Sequence, residues 1–304
     1  MRRRRRSRRS PEADGRDRPC WLPQGRVGRL TTLLVDGDLF AYQMACGVEK
    51  PLEFDGHFIL SADADTGKEN LDSMFAGFME KLDADRIIVC LSDTENFRKK
   101  VLPTYKSNRD GIRRPMILGA LKEHIEANYE TFTRPTLEAD DVLGILLTNP
   151  KVIPGEKIVV TEDKDLRSVP GLHWNPKKDT KPVRVSVAQA DREFYAQTLS
   201  GDMVDGYGGC PNIGYVRSRE IVDEGRLLVR TEDEIKRGKN AGQTRVQWLA
   251  QAGHGDLWEC IVSHYEKAGL TEADALSAAR VARILRTEDY DYKKKEPILW
   301  QPYS

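Results

Sequence analysis

Three short apolar runs, each ending in aspartate, constrain the fold of this chain more than any other feature. They are Thr31-Thr32-Leu33-Leu34-Val35-Asp36, Ile87-Ile88-Val89-Cys90-Leu91-Ser92-Asp93 and Ile158-Val159-Val160-Thr161-Glu162-Asp163. Apolar runs that do not alternate with polar residues are typical of strands buried on both faces. We therefore expect the three runs in the interior of one sheet.

Apolar residues recur at helical spacing in three stretches near these runs, at residues 74–82, 117–125 and 140–147, which predicts helices there. Strands that alternate with helices predict an α/β fold, with a mostly parallel sheet flanked by helices. Ligands of such sheets gather at the carboxyl ends of the strands. Asp36, Asp93 and Asp163 are expected at that edge.

The chain divides into three predicted regions. Residues 1–30 read as a disordered basic tail, residues 31–200 as the α/β core, and residues 201–304 as a mainly helical region. The later segments are predicted helices at 187–199, 247–268 and 272–285, a glycine-rich stretch at 201–214, and an exposed loop at 230–242.

The charge is unevenly distributed, although the net charge of the chain is zero. Residues 1–30 contain eleven arginines and three acids, which leaves the remaining residues acidic. An acidic body repels DNA unless its carboxylates hold cations. The apolar runs are too short for a membrane span, and the five cysteines have no paired spacing, which indicates free thiols in a reducing cytoplasm.

Carboxylates recur at positions that predict a metal site. Glu138-Ala139-Asp140-Asp141 precedes an apolar helix, Asp163 and Asp165 follow a strand, and Asp202 and Asp205 lie three residues apart. Each cluster alone also fits a helix cap or a turn. Together they predict oxygen ligands for Mg²⁺, with Mn²⁺ as a substitute, and two such ions suit phosphoryl transfer.

A basic segment follows the second predicted strand. It comprises Phe97-Arg98-Lys99-Lys100, Tyr105-Lys106-Ser107-Asn108-Arg109 and Arg113-Arg114. Such a segment suits a phosphate backbone, although a solvated helix face has the same composition. The stretch from Gly206 to Gly214 fits a turn that approaches a phosphate closely, or an ordinary flexible loop.

Several of these motifs, in this order, resemble the FEN superfamily of structure-specific 5′ nucleases, and within it the 5′-3′ exonucleases of T7-like bacteriophages. The resemblance runs from about Leu33 to Pro302. Its most specific motifs are Val35-Asp36-Gly37-Asp38, Tyr105-Lys106-Ser107-Asn108-Arg109 and Leu137-Glu138-Ala139-Asp140-Asp141. Further motifs that support it are Asp163-Lys164-Asp165, Gly201-Asp202-Met203-Val204-Asp205-Gly206-Tyr207, Lys239-Asn240-Ala241-Gly242-Gln243 and Ala282-Arg283-Ile284-Leu285. It implies a PIN-like metal-dependent nuclease core followed by an H3TH-like duplex-binding region, with a helix-turn-helix at residues 201–220.

The resemblance also implies a role for each matching residue. The first metal site would contain Asp36, Asp93, Glu138, Asp140 and Asp141, and the second Asp163, Asp165, Asp202 and Asp205. Lys106, assisted by Arg109, would contact the scissile phosphate. With the basic segment and the glycine-rich turn, the expected DNA contacts are Tyr42, Arg98, Lys99, Tyr105, Arg113, Arg114, Gly208, Gly209 and Gly214. Asp38 is expected to cap the first helix.

The implied activity is a 5′-3′ exodeoxyribonuclease that degrades duplex DNA, and RNA paired to DNA, in phage replication and recombination. A flap endonuclease is the alternative within the same superfamily. Asp36-Gly37-Asp38 also resembles the aspartate motif of haloacid dehalogenase phosphatases, in which Asp36 would be a covalent nucleophile. The remaining alternative is a non-catalytic DNA-binding protein that uses the basic tail and the basic segment.

Overall fold

The computed structural model describes residues 30–251 and 256–302. The predicted basic tail lies outside the described residues except for Leu30. The strands are β1 (Thr31–Asp36), β2 (Glu49–Phe54), β3 (His57–Ala62), β4 (Arg86–Cys90), β5 (Glu130–Phe132), β6 (Glu156–Val160), β7 (Gly171–Trp174), β8 (Val183–Val185), β9 (Gly201–Asp202), β10 (Tyr207–Gly208), β11 (Leu227–Glu234), β12 (Thr244–Gln251), β13 (Tyr290–Asp291) and β14 (Glu296–Pro297).

The helices are α1 (Gly37–Val48), α2 (Ala64–Lys81), α3 (Arg98–Val101), α4 (Leu118–Asn128), α5 (Ala139–Thr148), α6 (Val187–Ser200), α7 (Tyr215–Glu224), α8 (Leu257–Lys267) and α9 (Glu272–Ala282). Within the described ranges, no helix combines the length and the apolar character that a bilayer crossing requires.

A six-stranded sheet of order β5-β4-β1-β6-β7-β8 forms the centre of the fold. Strands β5, β4, β1, β6 and β7 run parallel, and β8 is antiparallel to β7. Leu34 of β1 is in register with Ile88 of β4 and Val159 of β6. The three apolar runs therefore lie side by side, and the predicted mostly parallel α/β sheet is confirmed.

Both faces of the sheet are covered. Leu33 and Val35 pack on one side with residues of α1, α2 and α4, such as Phe40. Leu34, between them, packs on the other side with Leu143 of α5. Because successive side chains of a strand point to opposite faces, the two cores together fix β1, and with it the residue at its carboxyl end.

A third apolar cluster holds the C-terminal helices together. Phe194 of α6, Trp258 and Tyr265 of α8 and Ala279 of α9 are buried in it. Helices α6 and α7 are joined by residues 201–214, which include the short hairpin β9–β10. The range 201–220 predicted for a helix-turn-helix therefore contains the turn and the start of α7, while the first helix lies before residue 201. The boundary between the regions at residue 200 falls at the end of α6 and stays a prediction.

Two element predictions between residues 230 and 268 are wrong in their first residues, whereas the exposed turn at residues 236–243 and α8 agree with them. The predicted loop at 230–242 begins inside β11, and the first residues of the predicted helix at 247–268 belong to β12. The two strands pair from Leu227 with Gln251 to Glu234 with Thr244. This pairing joins residues that are distant in sequence, and charged side chains on β11 hide the strand from a search for apolar runs.

Candidate active site

One cavity of about 450 Å³ opens where the carboxyl ends of β1 and β6 meet the start of α5 and the turn between α6 and α7. Its acidic lining consists of Asp36, Asp38, Glu138, Asp140, Asp163, Asp165, Asp202 and Asp205. Its basic lining consists of Lys106, Arg109 and Lys164. Asp38 apart, these acids are seven of the residues that were expected to bind metal.

Asp36 ends β1 and is 5 % exposed. Its carboxylate accepts the N–H of Leu39 at 3.1 Å, so Asp36 caps α1 and the expectation for Asp38 is wrong. Asp38 instead pairs with Lys122 at 2.5 Å. Burial, with repulsion from Asp38 and Asp163, raises the pKa of Asp36 to about 7.

Two further acids of the cavity have raised pKa values because they are buried beside like charges. Burial and the charges of Asp36 and Asp163 raise the pKa of Asp140 well above its ordinary value. Burial and Asp163 raise the pKa of Asp165 to about 6. The N–H of Asp165 donates to Asp163 at 2.8 Å, so the chain turns here rather than staying extended. Carboxylates that repel one another favour the binding of cations.

Glu138 differs from the other acids because groups of the basic segment surround it. Lys106 forms an ion pair with it, and the hydroxyl of Tyr105 donates to it at 2.9 Å. Burial alone would raise the pKa of Glu138, but the charges of Arg98 and Lys106 lower it to about 2. Glu138 is therefore an anion that holds the Lys106 ammonium group at the cavity wall.

The basic segment docks on the turn between α6 and α7. Lys106, with φ of +56°, donates its N–H to the carbonyl of Asp205 at 2.8 Å. The amide of Asn108 donates to the carbonyl of Val204 at 3.0 Å, and Arg109 pairs with the Asp205 carboxylate at 2.6 Å. These contacts bring Lys106 and Arg109 to the cavity from a segment about a hundred residues away in sequence.

Asp141 does not line the cavity, so its expected role as a metal ligand is corrected. It is 0 % exposed, and the Arg98 guanidinium donates to its two oxygens at 2.6 and 2.8 Å. The N–H of Leu285 also donates to it at 3.1 Å. Arg98 is 3 % exposed and donates to the carbonyls of Val281 and Arg283, so its expected contact with DNA is corrected as well.

Asp93 is also outside the cavity lining. Its two oxygens accept the N–H groups of Thr94 and Thr136, each at 2.7 Å. Hydrogen bonds from these N–H groups, that of Thr136 above all, lower the pKa of Asp93. The carboxylate thus ties the loop after β4 to the segment before α5.

The other residues expected to contact DNA are mostly accessible. The exposed ones are Tyr42, Lys99, Arg113 and Arg114. Arg113 pairs with Glu49 at 2.6 Å. Tyr105 is 3 % exposed, and its hydroxyl is bonded to Glu138 and Asp205, so its ring is not available to DNA and this expectation is corrected.

The three glycines of the turn have different surroundings. A Cβ atom on Gly209 would lie 2.2 Å from the carbonyl oxygen of Leu199, so Gly209 allows the turn to pack against the end of α6. Gly214 caps α7, and both Gly208 and Gly214 have open space where a side chain would be. A phosphate can therefore approach Gly208 and Gly214, whereas Gly209 serves internal packing.

Two cationic groups were missed by the sequence analysis: Lys164, which lines the cavity, and Arg219, which lies beside it. The Arg219 guanidinium lies 3.8 Å from the ring centre of Tyr215, in an adjoining pocket of about 350 Å³ that Lys164 and Asp202 also line. Tyr215 and Arg219 are four residues apart on α7, the spacing of neighbours on one helix face. Helical periodicity in residues 215–224 was the signal that could have revealed the pair.

The donors of the cavity suit a hard divalent cation, although they do not surround one point. In residues 30–251 and 256–302, no three acidic, histidine or cysteine side chains converge closely enough to hold an ion. Three acids are instead paired with basic side chains: Glu138 with Lys106, Asp205 with Arg109 and Asp165 with Lys164. An all-oxygen donor set is the one that Mg²⁺ and Mn²⁺ prefer.

Known proteins are similar in sequence to most of this chain. The family described as "5'-3' exonuclease, N-terminal resolvase-like domain" matches residues 31–191, more than half of the chain. The exodeoxyribonuclease of Enterobacteria phage T3 is 34 % identical over 226 residues, which are 72 % of this chain and 74 % of that protein. The chain belongs to the family of 5′-3′ exonucleases.

Further relatives agree with this assignment. The exonuclease of Escherichia phage T7 is 32 % identical over 224 residues, 71 % of this exonuclease and 74 % of that protein. A solved structure of the T5 5′-exonuclease with zinc covers 64 % of this chain and 75 % of its own, at 18 % identity and a TM-score of 0.48, a similarity too small to argue from. The family match and the mostly parallel sheet confirm a 5′-3′ exonuclease with an α/β core, which sets aside the phosphatase and the non-catalytic DNA-binding protein.

Proposed function

We propose that this exonuclease hydrolyses phosphodiester bonds in double-stranded DNA from the 5′ end, with divalent metal ions held in the carboxylate cavity. The observation that carries the proposal is the meeting of acids from four chain segments in one cavity, with Lys106 on its wall. The raised pKa values of Asp36 and Asp140 support it, because repulsion between carboxylates is relieved when a cation binds.

The proposed ions are Mg²⁺, or Mn²⁺ in its place, at two positions. Asp36, Glu138 and Asp140 would hold the first ion, and Asp163, Asp165, Asp202 and Asp205 the second. When bound, such ions lower the pKa of water and stabilise the charge that develops on the leaving 3′ oxygen. The products would carry 5′-phosphate and 3′-hydroxyl ends.

Lys106 and Arg109 would bind the scissile phosphate. Although burial opposes it, the charges of Glu138 and Asp205 raise the pKa of Lys106, so the ammonium group stays charged inside the cavity. A fixed cation of this kind stabilises negative charge on a phosphate without rearranging during the reaction. Tyr42 would stack on the terminal base, and the backbone near Gly208 and Gly214 would contact duplex phosphates.

The direct test is digestion of a linear duplex labelled at its 5′ end, with Mg²⁺ and with excess EDTA. We expect Mg²⁺ to cause early release of the label as mononucleotides or short oligonucleotides, and Asp163→Asn to abolish the release. Asp55→Asn is the matched control, because Asp55 lies in the exposed turn between β2 and β3 with φ of +48°, which asparagine tolerates. Cleavage that survives both EDTA and Asp163→Asn would contradict the proposal.

Substrate range needs its own comparison. The same duplex with a 5′ segment of RNA paired to DNA, and a third with an unpaired 5′ flap, separate the two activities of the superfamily. We propose that the exonuclease degrades the first two substrates. A clear preference for one cut at the base of the flap would favour the flap endonuclease instead.

A further inference from the structure

The hairpin β11–β12 is not used by the proposed reaction, although its end contains the motif Lys239-Asn240-Ala241-Gly242-Gln243. No residue of the hairpin, all of which the structure describes, lines the carboxylate cavity. Its strands pair over eight residues each, which corresponds to a length of about 27 Å at the usual rise of a strand. Most residues of the hairpin are exposed, so packing against the rest of the protein does not explain an extension of this length.

The base of the hairpin is anchored. The N–H of Leu228 donates to the hydroxyl of Ser263 at 3.0 Å, and the thiol of Cys260 donates to the carbonyl of Arg226 at 2.9 Å. Both Ser263 and Cys260 belong to α8 and are buried. The hairpin is therefore held in a fixed position on the helical region.

The tip, residues 235–245, has a defined shape. The N–H of Ile235 donates to the carbonyl of Gln243, and the N–H of Gly242 donates to the carbonyl of Ile235, each at 2.9 Å. Gly238 and Gly242 have φ values of +93° and +85°, which other residues rarely adopt. These glycines close the tip tightly and leave its longer side chains facing solvent.

Those longer side chains are cationic. The tip contains Lys236, Arg237, Lys239 and Arg245 and no acidic residue, and all four are exposed. None of the ion pairs found in residues 30–251 and 256–302 involves them. The acids of the hairpin lie in β11, where Glu232 pairs with Arg230 at 2.5 Å. Arg245 lies opposite Asp233 of β11, whereas Lys236, Arg237 and Lys239 lie beyond the paired strands. The tip therefore concentrates positive charge at these three residues.

We propose that this tip is a second duplex-binding site, which contacts the phosphate backbone of DNA outside the catalytic cavity. This proposal rests on the proposed function only for the identity of the ligand, which is duplex DNA. Tyr215, at the start of α7, lines the pocket beside the cavity, and α7 covers about 15 Å before the hairpin begins. Helix and hairpin together reach at most roughly 40 Å, or about 12 base pairs of duplex.

The chemistry of the tip favours DNA over an acidic protein. The tip contains one large apolar side chain, Ile235, which is half-buried, whereas protein interfaces depend on large, accessible side chains at their centre. Contacts with phosphates need only cations and N–H donors. The tip offers both.

The test compares a charge-removing variant, K236Q/R237Q/K239Q, with a charge-preserving control, K236R/R237K/K239R, in the full chain. Binding to duplexes of about 8 and about 30 base pairs is measured in EDTA between about 50 and 200 mM salt. On the long duplex we expect removal of three charges to reduce the slope of log K against log salt by about 2 to 3, and to weaken binding roughly tenfold or more at low salt. The short duplex and the control variant should behave as wild type.

Three results would overturn the proposal. They are an unchanged slope on the long duplex, an equal loss on the short duplex, and a control variant as weak as the charge-removing one. The last would mean that the shape of the hairpin matters and its charge does not. Because EDTA prevents metal-dependent cleavage, the binding result stands apart from the digestion experiment. A protein that cuts nothing but shows the expected slopes would retain the second binding site and lose the proposed function.

Discussion

Two neighbouring acids of α5 lie in opposite environments. Asp140 faces the cavity, beside the charges of Asp36 and Asp163, and its pKa is raised well above the ordinary value. Asp141, the next residue, points into the protein and is held by Arg98 and the N–H of Leu285. Asp140 therefore has repulsive neighbours, whereas both oxygens of Asp141 accept hydrogen bonds.

The difference follows from the geometry of the helix. Consecutive residues are about 100° apart around the axis, so one faces the sheet edge and the other faces away. The second face continues along α5. Gly144 lies against the carbonyl of Leu285, and the hydroxyl of Thr148 accepts the N–H of Thr287 at 2.9 Å. Asp140 at the start of α5 is therefore accessible to a ligand. The face that carries Asp141, Gly144 and Thr148 holds the helix against the rest of the protein.

The largest expected effect comes from Asp141→Asn, which removes one partner of a buried ion pair. We expect a loss of about 3–5 kcal/mol in the free energy of unfolding, because the Arg98 charge is left buried and uncompensated. Urea unfolding measures it. The rate of cleavage per folded molecule should stay near that of wild type, and a loss of cleavage in a fully folded variant would place Asp141 back in the metal site. Replacing both partners, with Arg98→Met and Asp141→Leu, should recover part of the stability.

Asp140→Asn should have the reverse pattern. We expect cleavage to slow by about 10²–10³-fold or more, the scale of losing one group that stabilises charge in the transition state. The free energy of unfolding should not fall, because the repulsion from Asp36 and Asp163 is relieved. Initial rates with Mg²⁺ and urea unfolding are measured on the same sample. If Asp140→Asn destabilises the protein and leaves the rate unchanged, the two faces of α5 have been assigned the wrong way round.

Mg²⁺ should increase the free energy of unfolding by binding at the cavity, and the face of α5 that carries Asp141 should not contribute to this gain. Ligand binding adds about 2.7 kcal/mol at a hundredfold excess over the dissociation constant. The gain should be smaller at pH 6 than at pH 8. Asp36 has a pKa of about 7 when folded and an ordinary, lower value when unfolded, so the metal-free protein gains stability as pH falls below 7. Thermal melting with Mg²⁺ and with EDTA at both pH values tests this, and Asp36→Asn should reduce the difference between them.

The smallest effect is expected from Gly144→Ala. The added Cβ would lie 2.4 Å from the carbonyl oxygen of Leu285, so α5 and the chain after α9 must separate slightly. Overpacking of this kind costs about 1–3 kcal/mol, and the better helix propensity of alanine offsets up to about 1 kcal/mol. Urea unfolding should show a net loss with no change in cleavage rate. Gly77→Ala is the matched control, because Gly77 lies in α2 with nothing near the position of the added atom.

The sequence was most informative where a local pattern of residues determines the conformation. The apolar runs ending in Asp36 and Asp163 indicated both the strands and the edge at which their acids meet. Spacing alone did not decide which way Asp93 and Asp141 face, because their partners, Thr136 and Arg98, lie about 43 residues away. Long-range hydrogen bonds leave no mark on local periodicity.

The same reason explains the hairpin β11–β12. Residues 247–251, the start of the predicted helix, are strand residues in the structure, and Leu249 among them is exposed. Pairing with β11 across the tip decided the conformation of this segment. The docking of Lys106 on Asp205 was equally invisible locally, although the resemblance to 5′ nucleases did anticipate that both belong to one site.

The position of Arg98 has a consequence for how the enzyme is made. Its guanidinium needs the carbonyls of Val281 and Arg283, more than 180 residues further along the chain, and the Asp141 that it holds needs the N–H of Leu285. In a nascent chain that still lacks these residues, the pair of Arg98 and Asp141 at the start of α5 is missing two carbonyl acceptors and one N–H donor. We therefore expect the active site to mature only after residues 281–285 have been synthesised and have packed against α5, so that a growing polypeptide that lacks them cannot yet attack nucleic acid.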